Sequence, residues 1–310
     1  MNKDLGMDKQ YHIPVLLQQS MEGLNIKPDG IYVDLTFGGG GHSREILRRL
    51  KNGKLIAFDQ DPDAYSNRPD DDRLIFVRHN FKYLIHFLDY LNFNMVDGIL
   101  GDLGVSSHHF DSPERGFSFR FEGDLDMRMN KVSDLTAAKI LNEYDTDKLY
   151  FIFRNYGEVK SLKKLVDNIN TYRAKEPFKT TTQLKELIDG FAPSKDRAKF
   201  MAQVFQALRI EVNGEMDVLR SVLEQTEKVI KPNGRLVIIS YHSLEDRMVK
   251  NYIRSGHVEI SESQTDIYGN RRVPFRAVNR KVIIPDDIEI EMNTRARSAK
   301  LRIAERMYDA

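Results

Sequence analysis

The 310-residue sequence contains no cysteine, which excludes a disulfide scaffold, a thiolate nucleophile and any zinc or iron–sulfur site with Cys ligands. It has no large excess of charge of either sign, because it contains 47 lysines and arginines and 46 aspartates and glutamates. The resulting net charge of +1 does not indicate nucleic acid or membrane as a partner. Apolar runs such as Leu236–Ile239 are far shorter than the ~20 residues of a membrane-spanning helix. The amino-terminal residues are polar and lack the apolar core of a signal peptide. We therefore expect a soluble, cytoplasmic protein.

Short apolar runs alternate with helical stretches in the first third of the chain. The predicted strands are 31–35, 54–58, 74–77 and 96–100, and a helix is predicted near 43–50. Residues 235–240 supply a fifth strand, after a helix that stops at the turn signal 231–234. This alternation is typical of βαβ units and predicts an α/β fold with a doubly wound parallel sheet.

The middle of the chain interrupts this alternation. Its apolar residues recur at helical spacing, as in Leu162–Ile169 and Met201–Val212, and little in it resembles a buried strand. We predict a catalytic domain formed by residues 1–110 and 215–310, and an inserted helical domain formed by residues 111–214. Insertions that follow the carboxyl end of a strand commonly shape the substrate site, so the inserted domain is expected to recognise substrate.

Four consecutive glycines, Gly38–Gly41, lie between the first strand and its helix. Such a loop turns sharply and lets the backbone approach a ligand without side-chain clash. Asp59 closes the second strand, 21 residues after Gly38, where an acid can accept hydrogen bonds from both hydroxyls of an adenosine ribose. The alternative is a tight turn with an unrelated aspartate, which the agreement of loop, position and acid disfavours.

The loop matches the dinucleotide fingerprint at Gly38 and Gly40 but has Ser43 at the third glycine position, and no Walker-type Gly-Lys-Ser/Thr is present. Asp34, just before the loop, suits a cationic ligand better than a pyrophosphate. These features favour S-adenosylmethionine, which carries a sulfonium and no phosphate. Asp102 follows the fourth strand and is predicted to lie at the same edge of the sheet. Amino-methylating enzymes hold the acceptor nitrogen at this edge. Taken alone, however, Asp102 is better explained as a helix cap.

Eight segments in fixed order resemble the bacterial 16S ribosomal RNA (cytosine-N4)-methyltransferases, over residues 11–306. They are HIPVLL at 12–17, DLTFGGGGHS at 34–43, DLGVSS at 102–107, ERGFSF at 114–119, LDMRM at 125–129, FQALRI at 205–210, SYHSLEDR at 240–247 and RARS at 295–298. The resemblance implies a class I methyltransferase fold with an inserted helical domain. It also implies S-adenosylmethionine as donor and a cytidine in the decoding (P-site) region as acceptor.

By position, the resemblance implies a set of cofactor-binding residues: Gly40, Gly41, His42, Asp59, Phe81, Asp102 and His109. Asp102 is also the expected catalytic residue, since a carboxylate can bond the amino hydrogens and orient the nitrogen lone pair at the methyl group. Phe81 is expected beside the adenine, although ordinary core packing explains it equally well. The sequence departs from the family pattern at three places: His109 replaces a glutamine, 199–203 replaces a Pro-Ala-Thr-Arg stretch, and Thr294 replaces a proline.

On the substrate side we expect contacts from Tyr241, His242, Arg295 and Arg297, with a structural hydrogen bond as the favoured alternative for His242. Residues 271–310 hold ten lysines and arginines against six acids, and Lys160, Lys163 and Lys164 form a second cluster; both suit RNA phosphates. The expected partner is the small ribosomal subunit with its 16S RNA. We expect no resident metal ion, and a homodimer stays open because residues 11–24 are expected to form a helix that packs on its own domain or on a partner. A non-catalytic ribosome-assembly factor and a dinucleotide-dependent oxidoreductase are the alternative functions.

Overall fold

The computed structural model describes residues 14–104, 112–192, 194–259 and 273–308. Strands and helices alternate through the first part of the chain, helices occupy the middle, and strands return at the end. In chain order the elements are α1 (Leu17–Leu24), β1 (Ile31–Asp34), α2 (Gly41–Arg49), β2 (Lys54–Phe58), β3 (Leu74–Val77), α3 (Leu84–Tyr90), β4 (Val96–Asp102), α4 (Ala137–Glu143), α5 (Thr146–Asn155), α6 (Leu162–Arg173), α7 (Thr181–Asp189), α8 (Arg197–Asn213), α9 (Glu215–Val229), β5 (Ile230–Ser240), α10 (Ser243–Ser255), β6 (Phe275–Ala277), α11 (Asp287–Met292) and β7 (Lys300–Arg306).

These strands form one sheet in the order β3-β2-β1-β4-β5-β7-β6. The first five are parallel, and β7 runs antiparallel to both of its neighbours. Asp34 pairs with Leu100 and Asp102 pairs with Ile239, so the carboxyl ends of β1, β4 and β5 lie at one edge. The strand order reverses between β1 and β4, which is where doubly wound sheets bind ligands.

The sheet is buried on both faces, which explains its continuous apolar strands. Successive residues of each central strand alternate between two cores. Val33, Ile56, Ile99 and Leu236 pack with α3, α9 and α10, whereas Tyr32, Leu55, Leu100 and Val237 pack with α1 and α2. Met21 and Leu24 of α1 lie in the second core, so α1 packs on its own domain. It begins at Leu17, and residues 11–13 lie outside the described part of the chain.

The contacts divide the chain into two units, one formed by residues up to Gly104 and from Val218 onward, the other by Val105–Asp217. The second unit is helical and has a core of its own, to which Leu149, Ile169, Leu184 and Val204 contribute. Three of its helices, α4, α5 and α7, begin with side-chain caps from Thr136, Asp145 and Thr180, and Thr180 forms a capping box with Gln183. A doubly wound sheet with a helical insertion is therefore confirmed. Among the described residues, no helix is long and apolar enough to cross a membrane.

Strand β5 differs from its predicted form, because it begins at Ile230 instead of Arg235 and includes the predicted turn. The pairing with β4 shifts between Val96 and Gly98, so the residues around Asn233, whose φ is +62°, bulge out of the ladder. Strands β6 and β7 were not predicted. β7 lies next to β5 in the sheet but has the sequence KLRIAER, in which charged residues break every apolar run.

Candidate active site

The glycine loop between β1 and α2 is shaped by close packing. Gly40, the N-cap residue of α2, has φ +76°, and a Cβ there would lie 2.7 Å from the Phe37 ring. A Cβ on Gly41 would collide with the ring of Pro14. Both glycines are therefore required by the fold of the loop itself, in addition to any role toward a ligand.

Hydrogen bonds hold this loop from several sides. The Gly38 amide donates to Asp59 Oδ2 at 2.8 Å, and Asn67 Nδ2 donates to the Gly38 carbonyl at 3.2 Å. Arg44 Nη1 donates to the carbonyl of Gly39 at 2.7 Å. The loop is consequently preorganised, and it is tied directly to the acid that follows β2.

Asp59 lies half-buried directly after β2. Burial, together with the like charges of Asp61 and Asp34, raises the pKa of Asp59 to about 6, although amide donors from Asp61 and Gly38 oppose this shift. Each carboxylate oxygen accepts one of these backbone bonds, Oδ2 from Gly38 and Oδ1 from Asp61. Each oxygen keeps a second lone pair, so Asp59 can still accept a bond from each of two hydroxyls.

Asp34 ends β1 and is 1% exposed. Its oxygens accept from the Thr36 amide at 3.0 Å and the Ser43 hydroxyl at 2.7 Å. Burial raises the pKa of Asp34 in spite of these donors. Both oxygens of Asp34 are therefore engaged in hydrogen bonds that shape the loop.

Asp102 ends β4 with its side chain 24% exposed. Its amide donates to Thr36 Oγ1 at 2.7 Å, and its Oδ1 accepts from the Tyr241 hydroxyl at 2.8 Å. Burial and the charges of Asp34 and Glu245 raise the pKa of Asp102, while His42 and the Tyr241 hydroxyl oppose the shift. Tyr241 thus orients one carboxylate oxygen and leaves the other, Oδ2, for further contacts.

His42 lies beside Asp102, as both its ring nitrogens show. Nε2 is 3.0 Å from the Val15 carbonyl, which can only accept, so Nε2 carries a proton. Nδ1 faces Asp102 Oδ2 at 3.8 Å. His42 is buried and connects the segment before α1 to the acid at the end of β4.

Tyr241 and His242 follow β5 and differ in their surroundings. The Tyr241 ring packs over Gly104, where a Cβ would lie 2.9 Å from the ring. His242 is buried and is the N-cap of α10, with Nδ1 accepting from the Glu245 amide and Nε2 3.2 Å from Glu245 Oε1. The structure accordingly favours the structural alternative for His242, and its substrate role stays a prediction.

The other predicted residues within the described part of the chain lie after β3 or before β7. Phe81 is half-buried after β3 and packs against the core of α3 and α9. Arg295 and Arg297 lie in a short helix, Thr294–Ser298, just before β7. Lys300 of β7 pairs with Ser240, so both arginines lie at the carboxyl edge of β5, and Arg297 is exposed. His109 lies outside the described residues.

Thr36 and Glu245 belong to the site but were not predicted. Thr36 bridges the ends of β1 and β4, and its position inside the loop motif was the available signal. Glu245 accepts from the Tyr241 amide at 2.9 Å and completes the cap of α10. The His-x-x-Glu spacing after a strand indicates such a capping box.

The strand order, with an antiparallel β7 between β5 and β6, and the acid-ended strands around a glycine loop define the class I methyltransferase fold. The chain belongs to the MraW methylase family, whose sequence pattern matches residues 9–307. It is therefore a methyltransferase, as predicted, and the oxidoreductase alternative is wrong.

Two relatives show how far this similarity extends. Ribosomal RNA small subunit methyltransferase H from Flavobacterium johnsoniae is 54% identical over 299 residues, which are 96% of this chain and 98% of the relative. The protein of the same name from Bacteroides thetaiotaomicron is 56% identical over 297 residues, 96% and 97% of the two chains. Among solved structures, an rRNA methylase from Streptococcus thermophilus aligns over 96% of this chain and 99% of its own, with 13% identity and a TM-score of 0.42.

Proposed function

We propose that this enzyme transfers a methyl group from S-adenosylmethionine to the N4 amino group of a cytidine in the decoding region of 16S ribosomal RNA. The names of the relatives support ribosomal RNA of the small subunit as the substrate. The observation that carries the chemistry is the set of three acids, Asp34, Asp59 and Asp102, at the carboxyl ends of neighbouring strands.

The donor set fits a cationic, phosphate-free cofactor. Burial is the main reason why the pKa values of all three acids are raised, and the like charge of Asp34 adds to the shift at both Asp59 and Asp102. A cation in this crevice would relieve that repulsion between carboxylates. Asp59 would accept the ribose hydroxyls, and the exposed Gly39 leaves the loop surface open. When bound, S-adenosylmethionine would supply a methyl group attached to a positively charged sulfur. The acceptor nitrogen would bond to the methyl carbon, and the sulfur would leave as a neutral thioether.

On the acceptor side, Asp102 would bond the hydrogens of the cytosine amino group. This group is a weak nucleophile because its lone pair is delocalised into the ring. Because Tyr241 holds one carboxylate oxygen, the other can fix the amino group so that the lone pair points away from the ring plane. No strong base is needed before attack, since the nitrogen becomes acidic once it is alkylated and then releases its proton.

Exposed cations on each unit would bind the RNA backbone. In the catalytic unit, Arg280, Lys281 and Arg297 are exposed, and the segment around Ile283 pairs with Leu301 near the carboxyl edge of β5. In the inserted unit, Lys160, Lys163 and Lys164 are exposed, which supports its proposed role in substrate recognition. The proposed location is the cytoplasm, where small subunits are found.

The test is to incubate the enzyme with labelled S-adenosylmethionine and small subunits from a strain lacking decoding-region methylation, and then to identify the labelled nucleoside. We expect N4-methylcytidine, lost in Asp102→Asn and retained in Asp89→Asn, an exposed aspartate on α3. Label in another nucleoside would contradict the acceptor assignment. Absence of label with cofactor binding intact would favour a role in ribosome assembly.

A further inference from the structure

One loop of the inserted unit presents an aromatic side chain to solvent on a fixed backbone. This aromatic loop, Phe117–Glu122, is closed at its base by two glycines. A Cβ on Gly116, whose φ is +71°, would collide with the Asp124 carbonyl, and a Cβ on Gly123 would collide with the Pro113 carbonyl. The two ends of the loop therefore approach each other as closely as backbone permits.

Thr181, the first residue of α7, fastens the loop through both its hydroxyl and its backbone. Its hydroxyl donates to the Phe121 carbonyl at 2.9 Å and accepts from the Gly123 amide at 3.1 Å. Its own amide donates to the Gly123 carbonyl at 2.9 Å. Thr181 is buried, so these bonds are shielded from water.

The three phenylalanines of the loop differ in exposure. Phe117 is buried, and Phe119 packs edge-to-face on Phe205 of α8 with the ring centroids 5.5 Å apart. Phe121, in contrast, is 52% exposed. The first two rings anchor the loop, and the third is left on its surface.

Phe121 has polar groups on both sides, namely the exposed side chains of Arg120 and Glu122. Lys179 is exposed on the neighbouring segment, where its carbonyl accepts from the Leu125 amide at 2.8 Å. An apolar ring with a donor and an acceptor beside it suits a nucleobase, which has a flat face and polar edges.

We propose that Phe121 is a stacking platform for an unpaired base of the RNA substrate. This proposal rests on the proposed function, because it assumes an RNA substrate. Recognition of single-stranded RNA relies on bases that stack on aromatic side chains. A ring held on a preorganised backbone binds with little further ordering cost, which is the advantage of the glycine-closed loop.

Direct contact can be tested by fluorescence, because the chain contains no tryptophan. Phe121→Trp places a single indole at the platform, and Phe151→Trp places one at an equally exposed position, 54%, on α5. A single-stranded oligoribonucleotide should quench the first and leave the second unchanged. Equal quenching at both positions, or none at position 121 at millimolar oligonucleotide, would overturn the proposal. This readout is independent of methyl transfer, so its failure differs from a failure of the proposed function.

Kinetics give a second test on the intact enzyme. Phe121→Ala should raise the KM for small subunits about tenfold, the range of one base–aromatic stack, with kcat and the KM for S-adenosylmethionine little changed. Phe121→Tyr should restore the KM, and the control Phe151→Ala should leave it unaltered. An unchanged KM in Phe121→Ala, or a fall in kcat alone, would contradict a stacking role.

Discussion

We expect Asp59 to make cofactor binding dependent on pH, because its pKa is raised to about 6. Its ionised form accepts stronger hydrogen bonds and attracts the sulfonium. A group with this pKa is about one-tenth ionised at pH 5 and nine-tenths ionised at pH 7, so we expect the affinity for S-adenosylmethionine to rise about tenfold over that range. Titration calorimetry at several pH values measures this, and Asp59→Asn should bind weakly with a much flatter profile. An equally steep profile in that variant would assign the effect to other groups.

The raised pKa of Asp59 also affects the stability of the folded protein, which decreases as the pH rises, whereas cofactor affinity is expected to increase. An aspartate has an ordinary pKa of 3.8, so the folded protein holds the Asp59 proton more tightly than the unfolded chain does. This contribution is fully present below pH ~4 and is lost as the pH rises through about 6. Asp59 therefore lowers the stability of the fold at neutral pH, the condition under which it is proposed to accept the ribose hydroxyls.

The hydroxyl of Tyr241 donates a hydrogen bond to Asp102, and its removal tests whether this bond positions the carboxylate. Tyr241→Phe keeps the ring on Gly104 but deletes a donor to a carboxylate, an interaction of about 1.5–3 kcal/mol. We expect kcat to fall by roughly ten- to a hundredfold with the KM for S-adenosylmethionine little changed, and the melting temperature to fall by roughly 5 °C, which leaves the protein folded in the assay. Steady-state kinetics check this, with Tyr83→Phe as an exposed control. A wild-type kcat in Tyr241→Phe would show that Asp102 needs no such support.

His242, the N-cap of helix α10, was predicted to contact substrate, and two variants separate that role from its role as a cap. His242→Asn retains a favoured N-cap, whereas His242→Ala removes the cap and should cost about 1 kcal/mol in the free energy of unfolding. We expect the Asn variant to keep most of its activity, since the cap is the role that the contacts support. Urea unfolding and methylation assays provide both readouts. A stable but inactive Asn variant would instead establish a chemical role for the imidazole.

The first four parallel strands, β1 to β4, could be predicted from the sequence to within two residues, because each is a short apolar run bounded by loop residues. β2 and β3 have their predicted bounds, and β4 extends two residues further to Asp102. β7 could not be predicted in this way, since its charged side chains reach solvent or form ion pairs. Arg302, for example, donates to Asp246 at 2.7 Å.

The acids of the site were predictable for a topological reason, because parallel strands deliver their carboxyl ends to one edge. The hydrogen bonds that these acids form with other residues of the site could not be predicted. Tyr241 and Asp102 are 139 positions apart, and Thr36 and Asp102 are 66 apart. Such pairs depend on strand order and register, which local sequence patterns do not encode.

The whole molecule has separate cores in its two units, so a ligand of the catalytic unit should stabilise them unequally. S-adenosylhomocysteine at a hundredfold excess over its Kd should add about 2.7 kcal/mol to the stability of the unit that binds it. Hydrogen exchange should then slow in β1, β2 and β4 and stay unchanged in α5, α6 and α8. Equal protection throughout would show that the two units unfold together.

The position of β7 also dictates when this protein can finish folding. It is the last strand in the sequence, yet it lies inside the sheet between β5 and β6. While the chain is being synthesised, β5 has no neighbour on that side until residues 300–306 have emerged, whereas every core residue of the inserted unit precedes residue 213. The insertion can therefore pack first, and the catalytic sheet closes only after residues 300–306 have been synthesised.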